Sequence, residues 1–377
     1  MARTGTVTPA KGLNLRATPG GTILKVLPKG TVVEILDTQN GTLKVDVSGQ
    51  VGFVAAEFIQ QDAAGAAGAA GGTATANATA ATGSCRFVGD KAVAPDGSVF
   101  GKKFKLGIFN NGNTSIADFV SKHQDAFTNI SPSRLRVMSA VSVNEGKLEA
   151  INTWDNAFVT FGCFQWTAGA ENDPGELPAM VNRLKQTNPA VFHQLLGQFG
   201  LDIASVNSRP GVTPTGFFSL NGVPVKTAAD KQAKLRNLEW AFRFFRAGHD
   251  DTMRQVEIEY AASRIDLFYR DGSHKVRDLF VADFVSSEFG VALLLDQHVN
   301  RPGHVPKTLA AAVNQFITST GKINPATWTD QDETKVLSIY IQLRRNTNMT
   351  DSDARAERVR QAVNKGLASD KRGSFQP

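Results

Sequence analysis

Between Val143 and Trp166 stand two carboxylates that could do acid–base chemistry, Glu145 and Asp155. Leu135, Met138, Val141 and Glu145 recur at intervals of three, three and four, so a helix over 132–145 places this carboxylate on its apolar stripe. Gly146 follows as a helix stop, which puts Glu145 at the mouth of the next element and near the negative end of the helix dipole. Burial and that dipole both favour the protonated acid, the form that can protonate a departing glycosidic oxygen. Asp155 lies ten residues on, before the extended run Phe158-Val159-Thr160-Phe161, whose β-branched and aromatic residues suit a hairpin. A helix end followed by a hairpin can oppose two carboxylates across a cleft. A separation of roughly 6.5–9.5 Å would admit an attacking water and invert the anomeric carbon, whereas about 5–5.5 Å would imply retention.

The elements that must position these residues come after a change in the character of the chain. The span 62–84 has no aromatic residue and almost no charge, and its small Ala, Gly and Thr side chains cannot assemble a core, so it reads as a flexible linker. Before it, residues 1–61 alternate apolar and polar positions in short runs such as TILKVL, TVVEIL and TLKVDV. Pro19-Gly20-Gly21, Lys29-Gly30, Asn40-Gly41 and Ser48-Gly49 punctuate these runs, and five short strands in a small all-β barrel are expected. After the linker, residues 85–110 read as a Gly-rich hairpin or irregular entry, and from about Ser115 onward apolar residues recur at helical spacing. Helices are expected over 115–127, 132–145, 177–186, 189–198, 228–247, 250–270, 276–298, 305–319, 331–345 and 351–367. Asp330 three residues before Glu333, and Thr350 three before Asp353, read as helix starts.

Two resemblances follow from particular residues. Leu13-Asn14-Leu15-Arg16-Ala17-Thr18-Pro19-Gly20, Leu27-Pro28-Lys29-Gly30 and Gly52-Phe53-Val54 resemble a bacterial SH3 domain over about residues 3–60, which implies attachment to cell-wall peptides. Asn144-Glu145-Gly146, Asn152-Thr153-Trp154-Asp155, Thr160-Phe161-Gly162 and Phe164-Gln165-Trp166 resemble phage-type lysozymes. They also resemble lysozyme-like wall hydrolases of phage tails and of effectors of contractile injection systems, including type VI secretion effectors. Leu295-Asp296-Gln297-His298-Val299-Asn300-Arg301-Pro302-Gly303 is similar to a helix end in that group, and the likeness spans about residues 115–345. The Glu-to-Asp-to-Thr spacing departs from the phage-type pattern by about one residue. The resemblance implies a multidomain chain in which an SH3-like barrel precedes a mainly α lysozyme-like domain, over 85–377, with a small β-hairpin lobe. It implies Glu145 as general acid, Asp155 as the group that positions or activates water, and Thr160 as a hydrogen-bond partner of that water. Gln165, Trp154 and Trp166 would contact sugar, since indole faces stack on pyranose rings and an amide both donates to and accepts from hydroxyl and acetamido groups.

Other readings of the same residues bound this one. Glu149 is the rival acid, but past the helix stop it reads as a solvated loop carboxylate; Glu171 and Glu176 lie in a polar loop that opens a helix. Cys163 reads as core packing, and two cysteines, Cys85 and Cys163, are too few for a disulfide framework or a four-ligand zinc site. His298 and His304 cannot share a helical face across Val-Asn-Arg-Pro-Gly, so no metal is expected, and hydrolysis of this kind requires no cofactor. A net charge of +6 favours an anionic polymer and leaves nucleic acid, teichoic acid and peptidoglycan open; the basic residues form no nucleic-acid-binding pattern, so nucleic acid is not expected, and the resemblance implies peptidoglycan as the partner. No run of about 18 apolar residues occurs and the start lacks a secretory signal, so no transmembrane segment is expected. Synthesis in the cytoplasm and action on the wall then require delivery by lysis, a phage tail or particle, or a contractile injection apparatus. A muramidase, cutting between N-acetylmuramic acid and N-acetylglucosamine, is the expected activity. A lytic transglycosylase, a chitosanase-like glycosidase and a non-catalytic wall-docking component are the alternatives.

Overall fold

The computed structural model describes residues 3–9, 12–18, 21–39, 42–47, 50–61 and 84–377. It divides into two compact units between Thr79 and Ala80, within the stretch read as a linker, which except for Ser84 lies outside the described residues. Pro19-Gly20, Asn40-Gly41 and Ser48-Gly49 lie outside them too.

The N-terminal unit is β-rich. Its strands Leu13–Arg16, Thr42–Val47 and Gln50–Ala55 alternate buried and less buried positions, as a strand with one face on a core must. Leu15, Val33, Leu43, Val45 and Val54 fill that core. Seven short strands pair antiparallel in one sheet, where five were expected; Arg3–Val7 and Ile59–Gln61 pair with one another and bring the two ends of the unit together.

The C-terminal unit is mainly helical around a single apolar core. Its centre is the helix Glu288–Asn300, in which every residue from Glu288 to His298 is buried. A helix apolar nearly all round belongs in an interior, and this one packs along Pro132–Val141. Expected helices are interrupted where a side chain offers the backbone another partner. The expected 228–247 splits into Ala228–Lys234 and Leu238–Ala247, because Asn237 accepts from Trp240 N and starts a new helix. The expected 276–298 begins its long helix only at Glu288, where Ser287 accepts from Gly290 N and the buried Glu333 accepts from Ser286 N and Ser287 N. The box expected at Asp330 and Glu333 is formed by Thr329 and Asp332 instead.

Two β features exceed the expectation. Of the hairpin or irregular entry expected over 85–110 the hairpin is found, and it extends further: Arg86–Val88, Lys91–Val93, Val99–Phe104 and Gly107–Asn110 continue through Ile151–Asn152, Thr160–Phe161 and Trp166–Thr167 into one seven-stranded antiparallel sheet. A second sheet, built on the long hairpin Leu201–Arg209 and Val212–Leu220, was absent from the helical reading, although Pro210-Gly211 and Asn221-Gly222 mark its turns.

Candidate active site

The helix expected over 132–145 stops earlier. Ser131 caps it, Pro132 occupies its first position, and the α-helix ends at Val141. Ser142 Oγ bonds back to Ser139 O, and Ser142–Asn144 tighten into a 3-10 turn, so Glu145 sits beyond the helix in extended backbone (φ −108°, ψ 174°). Burial, not the helix dipole, therefore governs its charge. Its side chain is 7% exposed, and desolvation pushes its pKa from 4.5 up to about 7. The Arg355 guanidinium, which donates to Glu145 Oε1, opposes that rise, and Asp296 reinforces it.

Arg355, on the C-terminal helix Ser352–Asn364, is itself fixed from three directions. Its Nε and Nη2 donate to Asp296 Oδ1 at 2.9 and 2.7 Å, and its Nη1 donates to Asn144 O at 3.0 Å. Asp296 is fully buried and faces Arg344 at 3.1 Å on its other oxygen. Asn144 Nδ2 donates to Asp296 Oδ1 at 3.0 Å, and Arg358 Nε donates to Asn144 Oδ1 at 2.6 Å. The segment quoted around Asp296 thus contributes a carboxylate to the acid's surroundings. Neither Arg355 nor this role of Asp296 was legible beforehand, since no spacing relates positions 210 residues apart.

Glu145 lines a cleft of about 610 Å³. The segment from Asn144 to Lys147 and Gln165 form one side, and Phe104, Phe109, Asn110, Asn111, Asn152 and Trp154 contribute from the sheet. Close approach sets the first side: Gly146 N donates to Cys163 O at 2.8 Å, and a Cβ on Gly146 would stand 3.0 Å from Gln165 Nε2. Gly162, at φ +79°, could not carry a Cβ either, which would lie 2.4 Å from Glu257 Oε2. Gln165 is held at φ +53°, a conformation that costs a non-glycine residue about 1 kcal/mol or more, and its Nε2 donates to Gly162 O at 2.8 Å.

The expected site residues separate into two groups. Glu145, Trp154 and Gln165 meet in the cleft. Trp154 stands edge-on to Phe104, with ring centroids 5.1 Å apart, and Phe104 is edge-on to Phe109 at 5.7 Å. This aromatic wall was missed in part because Phe104 and Phe109 lie in the stretch read only as a hairpin or irregular entry, with no site residue assigned to it. Asp155 heads a turn rather than a strand; it is half-buried and does not line the cleft. Its carboxylate accepts from Ala157 N and from Asn152 Nδ2, both at 2.9 Å, so its link to the cleft runs through Asn152. Thr160, opposite Asn152 in the sheet, is 4% exposed, its hydroxyl has no hydrogen-bond partner among the described residues, and it does not line the cleft. Trp166 is 1% exposed and packed against Tyr260 and Phe164, so it is a core residue and not a sugar platform.

Glu149 is not a solvated loop carboxylate. It is 1% exposed and accepts from Asn113 N and Thr114 N at 2.7 and 3.0 Å, tying the loop before the first helix to the sheet. Glu176 pairs with the buried Arg264, and Glu171 is exposed. Both cysteines are free. His298 is buried beside Phe268, and desolvation lowers its pKa to about 3. Among the described residues no three His, Cys, Asp or Glu side chains gather as a metal-binding group, and no helix is long and apolar enough to cross a membrane.

Residues 11–60 match the family model of the bacterial SH3 domain. The N-terminal unit carries an SH3 module. No curated protein and no solved structure matches the chain. The match ends before the cleft, so the reading of the C-terminal unit rests on its own residues.

Were glycan strands the substrate of this cleft, Trp154→Ala would raise their KM by roughly tenfold with little change in kcat, as loss of stacking that is equal in ground and transition states should. Steady-state kinetics on soluble strands check this, and an unchanged KM would remove Trp154 from the substrate path.

Proposed function

We propose that the chain is a peptidoglycan hydrolase of the muramidase type, with a lysozyme-like C-terminal domain and an SH3 module that holds it on the wall. The observation that carries the reading is Glu145, a carboxyl pushed up to about 7 by burial on the wall of a cleft that also offers Trp154, Phe104 and side-chain amides. A glycosidic oxygen leaves poorly unless it is protonated, and an acid that holds its proton near neutrality supplies that proton as the bond breaks. The aromatic wall suits the apolar faces of pyranose rings, and Asn111, Asn152 and Gln165 suit their hydroxyl and acetamido groups. In this reading Asp155 acts on the hydrolytic water through Asn152 or after a local shift of its turn. Delivery to the wall by lysis, a phage particle or a contractile injection system belongs to the same proposal.

A lytic transglycosylase is the second reading, and the place of Asp155 favours it, because a carboxylate engaged in its own turn and outside the cleft leaves Glu145 as the single acid. End groups separate the two. Muropeptides released from sacculi with reducing N-acetylmuramic acid ends identify a hydrolase, anhydro ends identify a transglycosylase, and no release overturns both.

Removing residues 1–61 is expected to lower co-sedimentation with sacculi by roughly tenfold or more, as loss of one tethered binding module does, while cleavage of soluble strands is spared. Unchanged sedimentation would reduce the SH3 module to a spacer.

A further inference from the structure

Beside the cleft lies a smaller recess of about 140 Å³, lined by Phe87, Lys103, Lys105, Thr153 and Arg236 among others. The two cavities share a rim: Lys105 follows Phe104, Thr153 precedes Trp154, and Phe104 and Trp154 face the cleft. The Lys105 ammonium lies 4.4 Å from the centre of the Trp154 ring.

Three cations line this recess without a carboxylate. Among the described residues the lysines in ion pairs are Lys185, Lys234, Lys322 and Lys371. Lys103 and Lys105 instead lie over aromatic rings, Lys103 at 5.2 Å from Phe87. Arg236 donates to Asp155 O and Gln232 Oε1, feels the Asp155 carboxylate without an ion pair to it, and among the described residues its buried Nε has no hydrogen-bond partner. Residues 86–105 carry Arg86, Lys91, Lys102, Lys103 and Lys105 against Asp90 and Asp96, so the surrounding surface is basic as well. Lys105 is also the first residue of the two-residue turn between Val99–Phe104 and Gly107–Asn110, at φ +46°.

We infer that this recess is an anion subsite for the carboxylates of the peptide stem carried by muramic acid. The inference rests on the glycan-cleft reading and gives it a specificity: a strand lying against Trp154 passes its stem over the rim formed by Phe104 and Lys105, and Lys103, Lys105 and Arg236 receive the stem's negative charge. A glycan without charged stems, such as chitin, would gain nothing from the recess.

The test compares two soluble strands that differ only in whether the stem carboxylates are free or amidated, using wild type and Lys103→Gln. Binding of the corresponding muropeptides to Glu145→Gln, alone and combined with Lys103→Gln, is measured by calorimetry. Wild type is expected to show a KM and a Kd at least fivefold lower for the free-acid form. Lys103→Gln is expected to remove most of that difference by raising KM and Kd for the free-acid form. Lys105→Gln, which also removes the cation over Trp154, is expected to weaken binding of the free acid further. Equal treatment of the two forms by wild type, or a preference untouched by Lys103→Gln, would overturn the subsite. A glycerol-phosphate oligomer that competes as well as the free-acid muropeptide would overturn the assignment to stem carboxylates and point to a phosphate polymer. If wild type cleaves neither strand but the binding preference persists, the muramidase reading fails and the anion subsite stands.

Discussion

Glu145→Gln is expected to lower glycan cleavage by about 10²–10⁴-fold, the contribution of a positioned general acid, and to leave the fold intact. Gln is isosteric and can still accept from Arg355 through its carbonyl oxygen, while Asp296 keeps the guanidinium paired. The pH dependence gives a sharper signature than the loss itself. With its pKa raised to about 7, Glu145 holds the transferable proton below that pH and loses it above, so wild-type kcat/KM is expected to fall along an alkaline limb near pH 7. Stability follows the same proton. A carboxyl whose pKa in the folded protein lies above its unfolded value makes the native state bind protons more tightly, so stability is lost as pH rises from about 4.5 to about 7. Glutamine has no such proton to lose. The Tm of the variant relative to wild type is therefore expected to improve across that window, by a difference on the order of 3 kcal/mol. An active variant would end the assignment, and a difference that stays flat with pH would show that Glu145 is ionised throughout.

The burial of Glu145 was legible in sequence from an apolar stripe and a glycine stop, although the α-helix that carries the stripe ends at Val141. Its surroundings were not. Gln165 and Trp154 were reached because they lie close to Glu145 in sequence, near Gly162, whose φ of +79° and close approach to the Trp166 ring and the Glu257 carboxylate favour glycine. Trp166 and Thr160 belonged to the same cluster of residues, yet both are buried although the register places them on opposite faces of the sheet, Thr160 opposite Thr167 and Trp166 opposite Phe161; a strand only two residues long, buried on both faces, offers no pattern that tells one face from the other. The β-rich N-terminal unit was readable from its alternation, whereas the C-terminal sheet was underestimated because its strands are short and the chain runs through two α-helices before returning to them. Buried charges were hardest of all. Glu149 looks like a loop carboxylate until the backbone N–H groups of Asn113 and Thr114 are seen to converge on it, and Arg355 has no local feature that marks it.

Arg355 is the residue for which the structure forecasts the second large effect. The cluster around it holds Arg355, Arg344, Asp296 and Glu145, so it is neutral when Glu145 is ionised and carries one net positive charge when Glu145 is protonated. A guanidinium donating to Glu145 Oε1 lowers the cost of ionisation, and without it desolvation would raise the acid further. Arg355 thus acts through Glu145, as a positioning residue that keeps the pKa from drifting out of the useful range and fixes the carboxyl by its bonds to Asp296 and Asn144. Arg355→Met is expected to destabilise the fold by about 3–5 kcal/mol, the usual result of removing one partner from a buried ionic group, and to move the alkaline limb of kcat/KM above pH 7. Arg355→Lys keeps the charge but not the planar fork that serves Asp296 and Glu145 together, so its limb should stay near pH 7 while kcat falls because the carboxyl is less well held. A purely structural Arg355 would lower Tm in both variants and leave the pH limb of the surviving activity unmoved. If Arg355→Met remains folded and its limb does not move, the restraint on Glu145 comes from elsewhere, with Arg264 the next cation to test.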